Sequence, residues 1–153
     1  MLARAACLVA VLAFGASGSA DWPVLRGDPA HRGYIEGELR GPFRIAWVRH
    51  FEGERIGSAV EPIVARGRVF IGTHSGNLWA LDAASGRPVW RFAAGSPILH
   101  SPAVAGEAVV VASTRGLFVL DLATGRLLAQ AWRRGGYSAA PVVAGQRVFI
   151  GSR

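Results

Sequence analysis

The stretch Gly76-Asn77-Leu78-Trp79-Ala80-Leu81-Asp82-Ala83-Ala84-Ser85-Gly86-Arg87-Pro88-Val89-Trp90 decides the fold, because it comes back. Gly116-Leu117-Phe118-Val119-Leu120-Asp121 repeats its first half, and Gly125-Arg126 repeats Gly86-Arg87. The lead into it recurs three times. Pro62-Ile63-Val64 runs through Gly67 to Val69-Phe70-Ile71-Gly72, Pro102-Ala103-Val104 through Gly106 to Val109-Val110-Val111-Ala112, and Pro141-Val142-Val143 through Gly145 to Val148-Phe149-Ile150-Gly151. The prolines stand 40 and 39 residues apart and the glycines 39 apart each time. Self-similarity at that period signals modules stacked in series. An earlier echo, Trp47-Val48-Arg49-His50-Phe51 beside Trp90-Arg91-Phe92, reads as a lone last strand through which the chain enters its first full unit.

Each unit reads as four short strands. A proline opens the first, where a missing N–H is tolerated. The second is a solid apolar run; Val69-Phe70-Ile71 and Ala108 to Val111 do not alternate with polar residues, so both of their faces must be covered. Thr73-His74-Ser75-Gly76 makes a hairpin turn to the third strand. Asp82-Ala83-Ala84-Ser85-Gly86 makes the next turn, with Gly86 free to take positive φ and the Asp82 carboxylate able to accept backbone N–H groups. Helices would also cover both faces of a sheet, but most gaps here are turns of four or five residues. Stacked four-stranded blades cover both faces without helices, which predicts an all-β, incomplete β-propeller of about two to three blades. Leu122 to Trp132 competes as a short helix on propensity alone. Its register against the first unit assigns it to a turn and a strand.

Ala80-Leu81-Asp82-Ala83-Ala84-Ser85-Gly86-Arg87-Pro88-Val89-Trp90 resembles the A-x-D-x-x-x-G-x-x-x-W docking motif of pyrroloquinoline-quinone (PQQ) type propeller repeats. Asp21-Trp22-Pro23, Arg26-Gly27-Asp28-Pro29 and Trp47 are similar to the lead-in of secreted members, so the resemblance spans residues 21–153. It implies that the tryptophan of one blade packs against its neighbour, and that Ala80, Asp82, Gly86, Trp90, Asp121 and Gly125 are structural repeat residues. The second unit departs from the motif, with Val119 for the alanine and Ala129 for the tryptophan; Trp132 is the candidate displaced substitute. The family holds quinoprotein dehydrogenases, which bind PQQ and Ca²⁺ at the axis, and non-catalytic propellers such as the BamB-like subunit of the outer-membrane protein assembly machine. The dehydrogenases carry a cofactor-contacting glutamate three residues before a strand-opening proline. That position is Ala59 here, with Glu61 out of register. Many also carry an adjacent cysteine pair, and this chain has a single cysteine, Cys7. The resemblance therefore implies a non-enzymatic scaffold with protein partners, BamB-like in outer-membrane assembly, with no catalytic, cofactor-binding or metal residues. A PQQ-dependent dehydrogenase fragment is the alternative, and only that alternative carries PQQ and Ca²⁺.

Residues 1–20 read as a secretory signal peptide. Arg4 is followed by the apolar run from Ala5 to Phe14, and Gly18 and Ala20 stand at the −3 and −1 positions of cleavage. The run is half the ~20 residues that a membrane-spanning helix needs. Cys7 opens the apolar run instead of following it, which is the wrong place for a lipid-attachment cysteine. The expected mature chain starts at Asp21, is periplasmic or secreted, and holds no cysteine. It divides into a lead-in with the lone outer strand at 21–57 and repeats at 58–153. The positive charge behind the formal net +7 comes entirely from arginine, which beyond Arg4 is scattered from Arg26 to Arg153 with no run longer than Arg133-Arg134. A diffuse charge lacks the stripe that phosphate contacts require, so nucleic acid is not expected as a partner. His31, His50, His74 and His100 have no ligand spacing, and no Gly-Lys-Ser/Thr phosphate loop is present. A closed ring needs ~7–8 units of ~40 residues. One complete unit, one near-complete unit and the start of a third predict a fragment that lacks further blades and exposes sheet edges, hence one prone to self-association.

Overall fold

The computed structural model describes residues 7–13, 21–27, 33 and 42–152, and among these every regular element is a strand. Strands β1 (Cys7–Ala13) and β2 (Arg44–Phe51) pair antiparallel. The first complete blade is β3 (Ile63–Ala65), β4 (Arg68–Gly72), β5 (Asn77–Asp82) and β6 (Pro88–Ala93), hydrogen-bonded in that order. The second is β7 (Ala103–Ala105), β8 (Ala108–Ala112), β9 (Gly116–Asp121) and β10 (Leu127–Trp132), in the same order. A third begins with β11 (Val142–Ala144) and β12 (Arg147–Phe149). The segment that competed as a helix is β10, a strand throughout. The chain folds as an incomplete β-propeller.

Register repeats as faithfully as sequence. Val64 faces Val69, Val104 faces Val109 and Val143 faces Val148 across the same short turn. The outer hairpin carries one irregularity in the same place in both blades, so that Ala80 faces Trp90 and Val119 faces Ala129. The two turns between second and third strands are each pinned by a buried hydroxyl. Thr73 accepts the Asn77 N–H on its side chain at 3.2 Å, and Ser113 accepts the Gly116 N–H at 3.0 Å.

The unbroken apolar run of β4 splits between two cores. Val69 and Ile71 join Phe51, Val60 and Leu81 against the lead-in. Phe70 joins Ile63, Leu78 and Ala80 against Val109, Val111, Phe118 and Leu120 of the second blade. A blade is therefore a sheet buried on both faces, which is why polar alternation is absent from its middle strands. The lead-in does more than supply β2. Trp22 bridges Val64 through backbone hydrogen bonds, and the Pro23 carbonyl accepts the Val104 N–H at 2.7 Å, so residues 22–24 run beside the inner strands of both blades. Residues 7–13, within the segment expected to be a signal peptide, appear here as the strand beside β2. The expected cleavage site at Ala20, together with Asp28 and His31, lies outside the described residues.

Candidate functional site

The six residues of the repeat motif fall into two copies of one construction. In the first blade, the Asp82 carboxylate accepts the Ser85 N–H at 2.8 Å and the Ser85 hydroxyl at 2.6 Å. The Gly86 N–H donates to the Asp82 carbonyl at 2.8 Å, and the Asp82 N–H to the Arg87 carbonyl at 2.9 Å. In the second blade, the Asp121 carboxylate accepts the Thr124 N–H at 2.8 Å and its hydroxyl at 2.6 Å. Gly125 and Arg126 close the same two backbone bonds there, both at 2.8 Å. Both carboxyls are held below the ordinary aspartate range. The hydroxyl bond is the largest cause in each case and the backbone N–H the next, with Arg68 and Arg126 adding a smaller electrostatic pull.

A tryptophan from the preceding strand set sits on each turn. The Trp47 indole donates to the Ala83 carbonyl at 2.9 Å, and the Trp90 indole to the Leu122 carbonyl at 3.0 Å. Gly86 and Gly125 have φ of 68° and 71°, and a Cβ on either would lie 2.5 or 2.6 Å from the ring that covers it. Glycine is thus required twice over, by the left-handed backbone and by the flat ring. Ala80 is fully buried and faces both Phe70 and Trp90, whose ring centroids are 5.8 Å apart. Its small side chain leaves the space those rings fill. In the second blade the sizes are reversed, Val119 facing Ala129, so the larger residue moves across the pair.

Trp132 does not take the place of the missing ring. It faces Gly116 and meets Phe118 edge-on at 5.5 Å, and Phe118 in turn packs on Phe92 of the first blade. Trp132 therefore lies on the opposite face from Ala129, and it is 60% exposed. The repeat reading missed three further features: the Trp22 bridge, the Thr73 and Ser113 pins, and the Ser96–Ser113 hydroxyl pair, buried at 2.8 Å. Thr73 and Ser113 do occupy the same place in the two units, one residue past the apolar run, and that coincidence could have found them.

His50, His74 and His100 lie on β2, in the β4–β5 turn and ahead of β7, and no group of three or more His, Cys, Asp or Glu among the described residues is disposed to hold a metal ion. Ala59, where a quinone-contacting glutamate would stand, offers no carboxylate, and the Glu61 side chain is exposed while its N–H donates to the buried Ser101 hydroxyl at 2.7 Å. The outer strands are the open surfaces of the blades, β6 for most of its length. β10 is exposed along its whole length.

Comparison with known proteins places these features in context. Residues 11–153 match the family described as outer membrane protein assembly factor BamB. A BamB from Shewanella oneidensis is 38% identical over 65 residues, covering 42% of this chain and 16% of its own. The crystal structure of BamB from Moraxella catarrhalis superimposes with a TM-score of 0.56 at 31% identity, over 71% of this chain and 34% of that one. A quinohemoprotein alcohol dehydrogenase from Pseudomonas putida HK5 superimposes with a TM-score of 0.72 over 88% of this chain and 23% of its own; at 20% identity that likeness is one of fold. The chain thus spans about a sixth of the curated relative and a third of the BamB structure. Among the described residues no helix is long and apolar enough to cross a membrane.

Proposed function

The chain belongs to the family of the outer membrane protein assembly factor BamB, and from that premise we propose that it is a non-enzymatic repeat scaffold of the periplasm that engages protein partners in outer-membrane protein assembly. The observation that carries this reading is where the repeats place their carboxylates. Of the four carboxylates in the repeats, Asp82 and Asp121 are bound into their own turns, Glu107 pairs with Arg66 at 3.2 Å across the blades, and Glu61 is exposed. Ala80, Asp82, Gly86, Trp90, Asp121 and Gly125 then serve as structural residues that set one blade on the next. What the repeats offer outward is surface, and that supports recognition of proteins over chemistry on small molecules. Residues 1–20 act as the export signal, removed after Ala20.

The test is capture from the periplasm. The chain, tagged at its C-terminus and expressed in a Gram-negative host, is crosslinked in vivo and purified. Recovery of outer-membrane assembly subunits, with an N-terminus at Asp21, is the expected result. Absence of those subunits, together with dye-linked alcohol oxidation that depends on added PQQ and Ca²⁺, overturns the reading in favour of a dehydrogenase.

A further inference from the structure

The two blades share one scaffold, so residues that one blade needs and the other replaces without structural consequence stand out. At the end of the outer strand the first blade carries Ala93-Ala94-Gly95, and the second carries Trp132-Arg133-Arg134 in the same register, Ala93 facing Asn77 as Trp132 faces Gly116. The first blade meets the fold's needs there with small residues, exposed Ala93 and Gly95 and an Ala94 buried in the core between the blades. The second instead presents a 60%-exposed indole and two exposed guanidinium groups. Exposed Arg115 is their backbone neighbour: the Arg133 N–H donates to its carbonyl at 3.4 Å, next to the Gly116 that the indole overlies. The connector behind them is fixed: Gly136 donates to the Arg133 carbonyl at 3.2 Å and sits so close to the Thr114 carbonyl that a Cβ would lie 2.1 Å from it.

The charge here is unbalanced. From residue 83 onward the sequence has two carboxylates, Glu107 and Asp121. Glu107 is in the β7–β8 turn and paired with Arg66, and Asp121 is at the far end of β9 from Gly116, roughly 17 Å away by strand rise. Among the described residues, Arg115, Arg133 and Arg134 make no ion pair. Beside them runs β10, the outermost strand of its sheet, with its outer edge unpaired among the described residues. Tryptophan and arginine are the residues that most often anchor protein interfaces, and an open edge accepts an extended chain through its backbone.

We infer that Trp132, Arg133, Arg134 and Arg115 form a docking site for an extended acidic segment of a partner protein, laid along β10 with an apolar side chain on the Trp132 ring. The inference rests on the scaffold reading and gives the partner its chemistry. The experiment uses the full chain and a fluorescein-labelled dodecapeptide of alternating Glu and Thr with a central Phe, read by fluorescence anisotropy. A Lys-for-Glu version of the peptide, phosphatidylglycerol vesicles and a single-stranded DNA serve as competitors. The acidic peptide is expected to bind, more weakly as salt rises, and to be displaced by none of the three. Trp132→Ala with Arg133→Ala and Arg134→Ala, which brings in the first blade's own residues at two of the three positions, should weaken binding by about tenfold or more. Arg55→Ala with Arg87→Ala removes the same charge from the lead-in and the first blade, away from β10, and should leave binding unchanged. Unaltered circular dichroism in both variants separates lost binding from lost folding. If the peptide does not bind, if the two variants behave alike, or if vesicles or DNA displace it, the site is overturned. Failure of this assay with periplasmic capture intact removes the site alone, whereas failed capture strikes the scaffold reading itself.

Discussion

Trp90 and Trp132 are both large rings on outer strands, yet the structure gives them different work. Trp90 is half-buried, bonded to Leu122 and seated on Gly125, while Trp132 is mostly open. Trp90→Ala should destabilise the chain by about 3 kcal/mol, and Trp132→Ala by less than about 1 kcal/mol; parallel urea titrations decide. The two aspartates make a prediction in pH. Their carboxyls titrate lower in the folded chain than in the unfolded one, so their contribution is full above the unfolded value, about 3.9, and is lost as pH falls through the lower folded value. Asp82→Asn with Asp121→Asn should therefore flatten the fall in melting temperature on acidification below about pH 4. An acid limb unchanged by the double substitution would show that other groups set it. At this scale the spacing of Asp, Gly and Trp was legible because each answers a demand that only one residue type meets. Trp22 was not, since a single bridging residue has no period to betray it.

Among the elements, β10 shows what repetition adds to local preference. Leu127-Leu128-Ala129-Gln130-Ala131 favours a helix by itself, yet it pairs with β9 as β6 pairs with β5. Alignment between units revealed this because tertiary pairing overrides a propensity difference of a few tenths of a kcal/mol per residue. The facing pairs Ala80–Trp90 and Val119–Ala129 were opaque, because volume exchanged across a strand pair appears only once the register is known. They predict a coupling. Ala80→Val alone should cost about 1–3 kcal/mol by overfilling the site between Phe70 and Trp90. In the Trp90→Ala background the same change should cost less or become stabilising, a double-mutant cycle away from additivity by about 1 kcal/mol. Strict additivity would sink the compensation argument. The Thr73 and Ser113 pins belong here too. Hydroxyl residues are common in turns of every kind, so their identity alone does not mark them.

At the level of the whole molecule the solid apolar runs stated that both faces of the middle strands are covered, and in the first blade a core lies on either side of β4. Beyond the second blade the covering thins. Leu128, Trp132 and Phe149 are 46%, 60% and 54% exposed, and at the other end Phe43 and Ile45 are 51% and 62% exposed. Apolar surface of that kind next to unpaired strand edges predicts self-association. Sedimentation of the purified chain should show mass rising with concentration, and a single monomeric boundary throughout would contradict it. The tryptophan seats carry one more implication. Trp47 reaches its seat at Gly86, and Trp90 its seat at Gly125, so the peg always lies N-terminal to the socket by about one module. A chain threaded into a compartment N-terminus first thus delivers every peg before the socket that will receive it. Assembly gains a built-in arrow: each new module brings the socket for a peg already waiting.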